Sequence, residues 1–173
     1  MAETELLASE AVVDETEFRK ALSCFATGIT ILTTRDHRDR SRAMTVNTLT
    51  SVSLDPPLIL YCLGKSAFHF NVFSKAEMFA VNVLRNDQQA LSDRFAREQD
   101  DDLADLRTIS LVTGSPILTD HLTVLDCTTH AKHEAGDHVV VLGRVRAIKH
   151  GPNADPLLYF KSQYRSFRPS AVG

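Results

Sequence analysis

AMTVNTLTSVSLDPP, residues 43–57, begins with the alternation of apolar and polar side chains that is typical of a half-buried β-strand. The alternation then changes parity, because Leu49 falls on the side that Thr45 and Asn47 occupy with polar groups. Side chains alternate strictly between the two faces of a strand, so a change of parity requires a turn or a bulge. We therefore predict a corner near residues 48–50, lined by small hydroxyl groups and one amide.

Strand patterns flank this corner along the chain. The predicted strands are ITILTT (29–34), LILYCL (58–63), MFAVNVL (78–84) and two long strands within residues 122–148 that are joined across EAGD (134–137). The charged stretch RDHRDRSR (35–42) is predicted to be an exposed hairpin tip. Gly143, inside the last long strand, indicates a bulge or a close backbone approach.

Helical patterns are short and few. Asp14 can cap a helix whose apolar residues recur at the helical spacing, and Gly28 is placed to end it. Two further helices are predicted within KSAFHFNVFSKAE (65–77) and QQALSDRFAREQ (88–99). The chain lacks the regular strand and helix alternation of a parallel sheet. We predict a mainly β fold, a closed antiparallel barrel with a few short α-helices, in one domain over residues 14–168 after a flexible tail at 1–13.

Composition excludes several classes of partner. The 173 residues are 43% hydrophobic and 24% charged, with a net charge of −3, so neither nucleic acid nor an anionic membrane surface is an expected partner. The N-terminal residues do not resemble a secretory signal, and no stretch approaches the roughly 20 apolar residues of a membrane span. Cys24, Cys62 and Cys127 lack C-x-x-C spacing, which favours reduced thiols in the cytoplasm.

Motifs for several kinds of chemistry are missing from the sequence. The glycines form neither G-x-G-x-x-G nor G-x-x-x-x-G-K-[ST], and no G-x-S-x-G occurs. Cys127, His130, His133 and His138 lie close together in the sequence, but His130 and His133 have opposite parity on a strand. We therefore predict no metal site.

Four stretches, taken in order, resemble the flavin reductase family, small FMN-binding split-barrel proteins that supply reduced flavin to two-component monooxygenases. They are FATGITILTT (25–34), MTVNTLTSVSLDPPLILYCL (44–63), AGDHVVVLGRV (135–145) and PLLYFKSQYRSF (156–167). The resemblance implies a split β-barrel and an NAD(P)H:flavin oxidoreductase that uses FMN or FAD, with NADH or NADPH as electron donor. It also implies a homodimer that delivers reduced flavin to a separate monooxygenase component.

The resemblance assigns the corner to the flavin. In the family, the matching segment wraps the isoalloxazine ring and ribityl chain, so the implied contacts are Thr45, Val46, Asn47, Thr48 and Ser51, with Cys62 facing the ligand from its strand. Backbone N–H groups at the corner would point at the ring, where reduction builds up negative charge.

The same resemblance assigns further binding residues. Lys65 and Ser66 follow a buried strand and are predicted to begin a helix that holds the flavin phosphate. The family carries more hydroxyl groups here, where this sequence has Ala67 and Phe68. Other implied contacts are Arg94, Phe95 and Tyr164.

His138 is the predicted catalytic residue. Gly136 and Asp137 favour a hairpin turn that projects His138 at the start of a strand, and the family's matching histidine lies beside the nicotinamide. Two alternatives remain open: a flavin-binding module without turnover, and an FMN-dependent oxidase of the pyridoxamine phosphate oxidase type.

Overall fold

The structure is a computed structural model that describes residues 13–97 and 101–167. The predicted tail, apart from Val13, lies outside these residues, and so does residue 168. The strands are β1 (Thr27–Gly28), β2 (Thr30–Arg35), β3 (Ser41–Val46), β4 (Thr50–Leu54), β5 (Pro57–Gly64), β6 (Met78–Val83), β7 (Thr108–Ile109), β8 (Ile117–Leu118), β9 (Thr123–Ala135), β10 (His138–His150), β11 (Leu157–Phe160) and β12 (Gln163–Ser166). The helices among the described residues are α1 (Glu15–Ser23), α2 (Phe70–Phe73) and α3 (Gln89–Arg97). The predicted mainly β class with a few short helices is confirmed.

The main sheet has the strand order β3-β2-β6-β9-β10-β5-β4, with antiparallel pairing throughout. Its edge strands, β3 and β4, are consecutive in the chain and are joined only by residues 47–49. Six strand spacings would separate the edges of a flat sheet by about 29 Å, whereas the four residue-to-residue steps from Val46 to Thr50 span at most about 14 Å. The sheet therefore curls until its edges approach each other, as a barrel requires.

Apolar side chains fill the inside of this curl. Six of the seven strands and α2 contribute buried residues: Leu32, Met44, Val46, Ile59, Tyr61, Leu63, Phe73, Phe79, Val81, Cys127, Val139 and Val141. A second cluster packs on the other face of β2 and β3, beneath α3 and β11: Ile29, Ile31, Ala43, Leu84, Phe95, Leu103, Leu118 and Leu157. A three-stranded sheet, β1-β11-β12, borders this second cluster, and β7 and β8 form a separate pair.

The predicted corner and turns are present. Residues 47–49 interrupt the strand pattern between β3 and β4, and the turn between β2 and β3 falls within the charged stretch 35–42. Gly136 has a φ of 61° in the two-residue turn from β9 to β10. A register shift lies between Leu142 and Gly143, which confirms the predicted irregularity there.

The first helix begins as predicted but ends earlier. The Asp14 carboxylate accepts a hydrogen bond from the Glu17 backbone N–H at 3.3 Å, but the helix ends at Ser23 with Cys24 as its cap. Gly28 lies in β1, so the prediction that it ends the helix is wrong. No residue of α1 is buried, and Phe18 is 54% exposed. Within one chain, the apolar face of α1 therefore remains open to solvent.

No helix among the described residues is long and apolar enough to span a membrane.

Hydrogen bonds from arginine residues lower the pKa values of two aspartates. Burial alone would raise the pKa of Asp36, but hydrogen bonds from the Arg40 and Arg38 backbone N–H groups and the Arg40 and Arg42 side chains hold it well below its usual range. A hydrogen bond from the Arg94 side chain likewise lowers the pKa of Asp105.

We expect the melting temperature to fall as the pH drops below about 4. Since the folded pKa values lie below the unfolded ones, these carboxylates stabilise the fold above the ordinary aspartate pKa and lose that effect as the pH falls through their folded values. Calorimetry between pH 7 and pH 3 measures this, and Asp105→Asn should reduce the acid sensitivity. Equal melting temperatures across the range would contradict the prediction.

Candidate functional site

The predicted catalytic histidine lies where β5 ends and β10 begins. His138 pairs with Gly64 across the two strands, and a side-chain carbon added at Gly64 would lie 3.5 Å from the His138 Nε2 atom. The His138 Nδ1 atom is 2.8 Å from the Asp137 carboxylate, and this hydrogen bond lowers the pKa of Asp137. Asp137 therefore fixes the imidazole, with Nε2 directed towards Gly64.

Lys65 links the end of β5 to the hairpin that carries His138. Its backbone N–H donates to the Asp137 carbonyl at 2.9 Å, and its Nζ donates to the Gly136 carbonyl at 2.8 Å. The ammonium also forms an ion pair with Glu134. Lys65 therefore holds the β9–β10 hairpin against β5.

The structure corrects the predicted start of the second helix. α2 begins at Phe70, so Lys65 and Ser66 lie in a turn before it, and the prediction that they begin the helix is wrong. The reason is a bond from the Ala67 N–H to the Gly64 carbonyl, which forms a separate turn. Among the described residues, nothing accepts a hydrogen bond from the backbone N–H groups of Ser66 and Phe68. This loop, residues 65–69, thus presents two unpaired donors.

The corner at residues 47–49 is fixed by one hydroxyl group. Thr48 Oγ1 accepts from the Cys62 backbone N–H at 3.0 Å and lies 3.3 Å from the Cys62 carbonyl, to which it can donate. This hydroxyl therefore takes the place of a backbone partner for Cys62, beyond the last residue pair that joins β4 to β5. Within the described part of the chain, the backbone N–H groups of residues 47–49 have no protein acceptor, and the exposed Asn47 side chain has no hydrogen-bond partner.

Thr48 and His138 flank β5 on opposite sides. Thr48 is bonded at Cys62 and His138 pairs at Gly64, two residues further along the strand. Two strand spacings and two residues of rise separate them by about 12 Å. Cys62, Gly64 and Val140, all half-buried, form the floor between them. We call this surface the slot: its floor is small and apolar, and it has on one side the amides of residues 47–49, which have no acceptor among the described residues, and on the other an imidazole.

A second group of predicted residues meets at α3. Thr45 Oγ1 donates to the Ser92 carbonyl at 2.8 Å, and the Ser92 hydroxyl is 2.9 Å from the Tyr164 hydroxyl, which also donates to Asp93 at 3.1 Å. Ser92, fully buried, joins β3 to β12. Sequence reasoning missed this role, because a serine in an amphipathic helix gives no local signal of its distant partners.

The remaining predicted residues lie apart from the slot. Val46 and Phe95 are buried in the two cores, at 9% and 1% exposure. Ser51 pairs with Ile59 and so lies on the face of β5 opposite to Cys62. Arg94 makes a bidentate contact with Asp105. The structure therefore brings together Thr48, Cys62, Lys65 and His138, with Asn47 and Ser66 nearby in the chain.

Burial disfavours thiol chemistry at this slot. Burial raises the pKa of the Cys62 thiol, which keeps it protonated. Among residues 13–97 and 101–167, no cluster of metal-binding side chains occurs.

A separate cavity lies away from the slot. It measures about 790 Å³ and is lined by the β2–β3 turn, α2 and residues 113–115. The slot at β5 is open to solvent in one chain, so cavity size alone does not locate the predicted chemistry.

Comparison with known proteins decides the family. The flavin reductase like domain matches residues 22–168, most of the chain. The chain belongs to the flavin reductase family. The match contains both sides of the slot, so the corner, the loop at residues 65–69 and the β9–β10 hairpin are all parts of this family's domain.

Relatives in the flavin reductase family extend over nearly the whole chain. The stachydrine N-demethylase reductase subunit Stc3 of Rhizobium meliloti (strain 1021) is 39% identical over 93% of this chain and 69% of its own length. The FMN reductase (NADH) SmoA of Agrobacterium fabrum (strain C58 / ATCC 33970) is 38% identical over 87% and 84%. The solved NADH:FAD oxidoreductase SgcE6 of Streptomyces globisporus C-1027, in complex with NAD and FAD fragments, is 32% identical over 91% and 95%, with a TM-score of 0.83. Some other relatives are longer, and the chain spans about half of their length.

In this flavin reductase, Thr48→Val should loosen the corner. Valine keeps the shape of the side chain but neither accepts from nor donates to the Cys62 backbone, so the Cys62 amide should exchange faster. A lost hydrogen bond of about 1 kcal/mol corresponds to roughly fivefold faster exchange if local opening governs it. Hydrogen exchange measured by NMR tests this, with the Val140 amide as an internal reference. Equal protection of Cys62 in both proteins would contradict the prediction.

Proposed function

We propose that this protein is an NAD(P)H:flavin oxidoreductase of the EC 1.5.1 type, which reduces FMN or FAD and delivers the reduced flavin to a separate monooxygenase component. Its family membership makes it an oxidoreductase with flavin and nicotinamide nucleotides as cofactors. The observation that carries the proposal is the slot over Cys62 and Gly64, with the free amides of residues 47–49 on one side and His138 on the other.

The residues of the slot fit a flavin. A flat heterocycle needs an apolar surface and a few fixed donors, and the small side chains at Cys62 and Gly64 leave room above β5. Bound flavin would accept a hydride from the nicotinamide, and this chemistry belongs to the two cofactors. The corner amides would stabilise negative charge on the ring, and the Asn47 side chain would supply one more donor.

His138 would act at the nicotinamide side of the slot. Asp137 holds its Nδ1 atom at 2.8 Å, so Nε2 is the atom available to orient the nicotinamide or to hold a proton. The unpaired N–H groups of Ser66 and Phe68 would bind the flavin phosphate in place of a helix N-terminus. Lys65 would contribute through the position of its backbone, since its ammonium is bonded to the hairpin.

The proposed activity is tested by NADH and NADPH oxidation with and without added FMN or FAD. We expect flavin-dependent turnover with at least one pair. Flavin binding without turnover under anaerobic conditions would instead support the binding module. Oxygen-dependent oxidation of pyridoxamine phosphate by the FMN-loaded protein, without nicotinamide, would support the oxidase alternative. Absence of flavin binding would overturn the proposal.

Asn47→Ala should weaken flavin binding. The amide is exposed at the corner and free of protein partners among the described residues, so its loss removes a ligand contact without breaking an internal bond. A hydrogen bond worth about 0.5 to 1.5 kcal/mol predicts a severalfold higher dissociation constant. Fluorescence titration measures this, with Asn153→Ala, a change at an exposed loop residue, as control. Equal dissociation constants for Asn47→Ala and the parent protein would refute the contact.

We also propose a homodimer that works in the cytoplasm. Half-buried apolar side chains cover the outer face of β5 and β10: Leu58, Leu60, Val140 and Leu142. The open apolar face of α1 adds Phe18 and Leu22, and Phe25 follows the helix; all three are more than half exposed. A second copy on these surfaces would also enclose the slot. The unpaired state of all three cysteines supports a reducing compartment. Light scattering should give twice the mass of one chain.

A further inference from the structure

A buried chain of charges runs from the β2–β3 hairpin to the segment after α3. Arg42, 8% exposed, donates from Nε and Nη2 to the Asp36 carboxylate at 3.1 Å and from Nη1 to the Asp101 carboxylate at 2.5 Å. The Ala43 N–H also donates to the Asp101 carbonyl at 2.9 Å. Asp101 is therefore fixed against β3 through both its side chain and its backbone.

The same carboxylate reaches the loop at residues 65–69. The second oxygen of Asp101, Oδ2, lies 3.7 Å from Nδ1 of His69. His69, 7% exposed, is the last residue of the loop and the cap residue of α2. Two ion pairs, from Asp36 to Arg42 and from Arg42 to Asp101, thus connect the hairpin and the edge of β3 to the end of the loop, where Asp101 faces His69.

We propose that Arg42 and Asp101 are positioning residues that hold the loop at residues 65–69 in the conformation that binds the flavin phosphate. This inference rests on the proposed function, because the loop's ligand is the phosphate of the flavin bound in the slot. Arg42 and Asp101 themselves touch no ligand, and they act through His69.

The loop is anchored at both of its ends. At its start, the Lys65 N–H is bonded to Asp137, and at its end His69 lies against Asp101. The free N–H groups of Ser66 and Phe68 lie between these two anchors. Two donors aimed at one anion need a fixed backbone, since ordering a mobile loop on binding costs affinity. Releasing the His69 anchor should therefore weaken phosphate binding without altering the floor at Cys62 and Gly64.

The buried charges of Asp36, Arg42 and Asp101 would stabilise the fold inefficiently if stability were their only role. Buried ion pairs often stabilise a fold no better than well-packed apolar side chains, because desolvation offsets their attraction. A chain of three charged side chains that ends at the loop has a geometric specificity that apolar packing would lack. This favours a role in positioning the loop.

Riboflavin, which lacks the phosphate, provides the test. Dissociation constants of FMN and riboflavin are measured by fluorescence titration for the parent protein, Asp101→Asn, His69→Gln and the double variant. The matched control is Asp39→Asn, an aspartate of the same hairpin that pairs with Arg35 on the exposed side. Circular dichroism melting identifies any variant that does not fold.

We expect the parent to bind FMN more tightly than riboflavin. Asp101→Asn and His69→Gln should each weaken FMN binding about tenfold and riboflavin binding less than about twofold, because the loop that loses its Asp101–His69 anchor contacts only the phosphate. The double variant should lose little more than either single variant, because the two residues act through one contact. Asp39→Asn should bind both flavins as the parent does.

Four results would overturn the inference. Equal weakening of FMN and riboflavin would show that the charges only support the scaffold, and unchanged FMN binding in a folded Asp101→Asn or His69→Gln would show that they do not reach the loop. A parent that binds both flavins equally would remove the phosphate site while leaving the flavin slot intact. A parent that binds neither flavin would overturn the proposed function as well. If Asp101→Asn fails to fold, His69→Gln alone decides between the outcomes.

Discussion

Replacement of His138 by alanine should slow hydride transfer to bound flavin about 100-fold, the scale at which a positioned acid, base or orienting group contributes. The reason is its position: the imidazole is held by Asp137 at 2.8 Å and lies next to Gly64 at the end of the slot, away from the corner at residues 47–49. Flavin binding should change less, by about threefold at most, because the corner and the loop at residues 65–69 remain intact. Anaerobic stopped-flow absorbance separates the two effects.

His133→Ala is the matched control for this experiment. His133 is exposed on β9 and pairs with Val140, so it lies one strand away from β10 on the same hairpin. Its removal should leave the rate of hydride transfer within about twofold of the parent, as is usual for surface substitutions. A His138→Ala protein that reduces flavin as fast as the His133→Ala protein would show that His138 has no part in the reaction.

Replacement of Asn82 by alanine should lower the free energy of unfolding by about 3 kcal/mol, because it leaves buried polar groups without partners and opens a small cavity. Asn82 is fully buried on β6. Its Nδ2 donates to the Ile31 carbonyl at 3.0 Å and to Thr33 Oγ1 at 3.1 Å, and its Oδ1 accepts from the Leu118 N–H at 3.0 Å. One side chain thus joins β2, β6 and β8.

Urea unfolding monitored by circular dichroism measures this loss. Asn153→Ala, at an exposed loop position, serves as the control and should change the free energy of unfolding by less than about 0.5 kcal/mol. An Asn82→Ala protein with the same urea midpoint as Asn153→Ala would mean that the three hydrogen bonds contribute nothing net.

Local patterns in the sequence were sufficient to predict the elements nearest the slot. The loss of alternation after Asn47 predicted the corner because side-chain parity is a property of a single strand. Gly136 and Asp137 predicted the hairpin turn for a similar reason, since a positive φ is a local requirement. The residues on both sides of the slot were therefore accessible from sequence, once the family resemblance gave them a common ligand.

Contacts between segments that are distant in the sequence could not be predicted from local patterns. Ala67 bonds back to Gly64 and delays the helix until Phe70, so the apolar pattern of the predicted helix overstated its length. Phe95 was predicted at the flavin, and its helical spacing suits a core position equally well, which is where the structure places it. Asn82 lies within an apolar run that gives no sign of its partners on other strands. Such partners depend on the order of the strands in the sheet, which the local periodicity of apolar residues does not determine.

We propose that the flavin ring lies over Cys62 and Gly64, between the corner and His138. A crystal structure of the protein with oxidised FMN tests it most directly. We predict that the backbone N–H groups of residues 47–49 contact the ring on one side of β5 and that the His138 imidazole borders its exposed face. A flavin bound instead in the 790 Å³ cavity beside the β2–β3 turn would contradict the account.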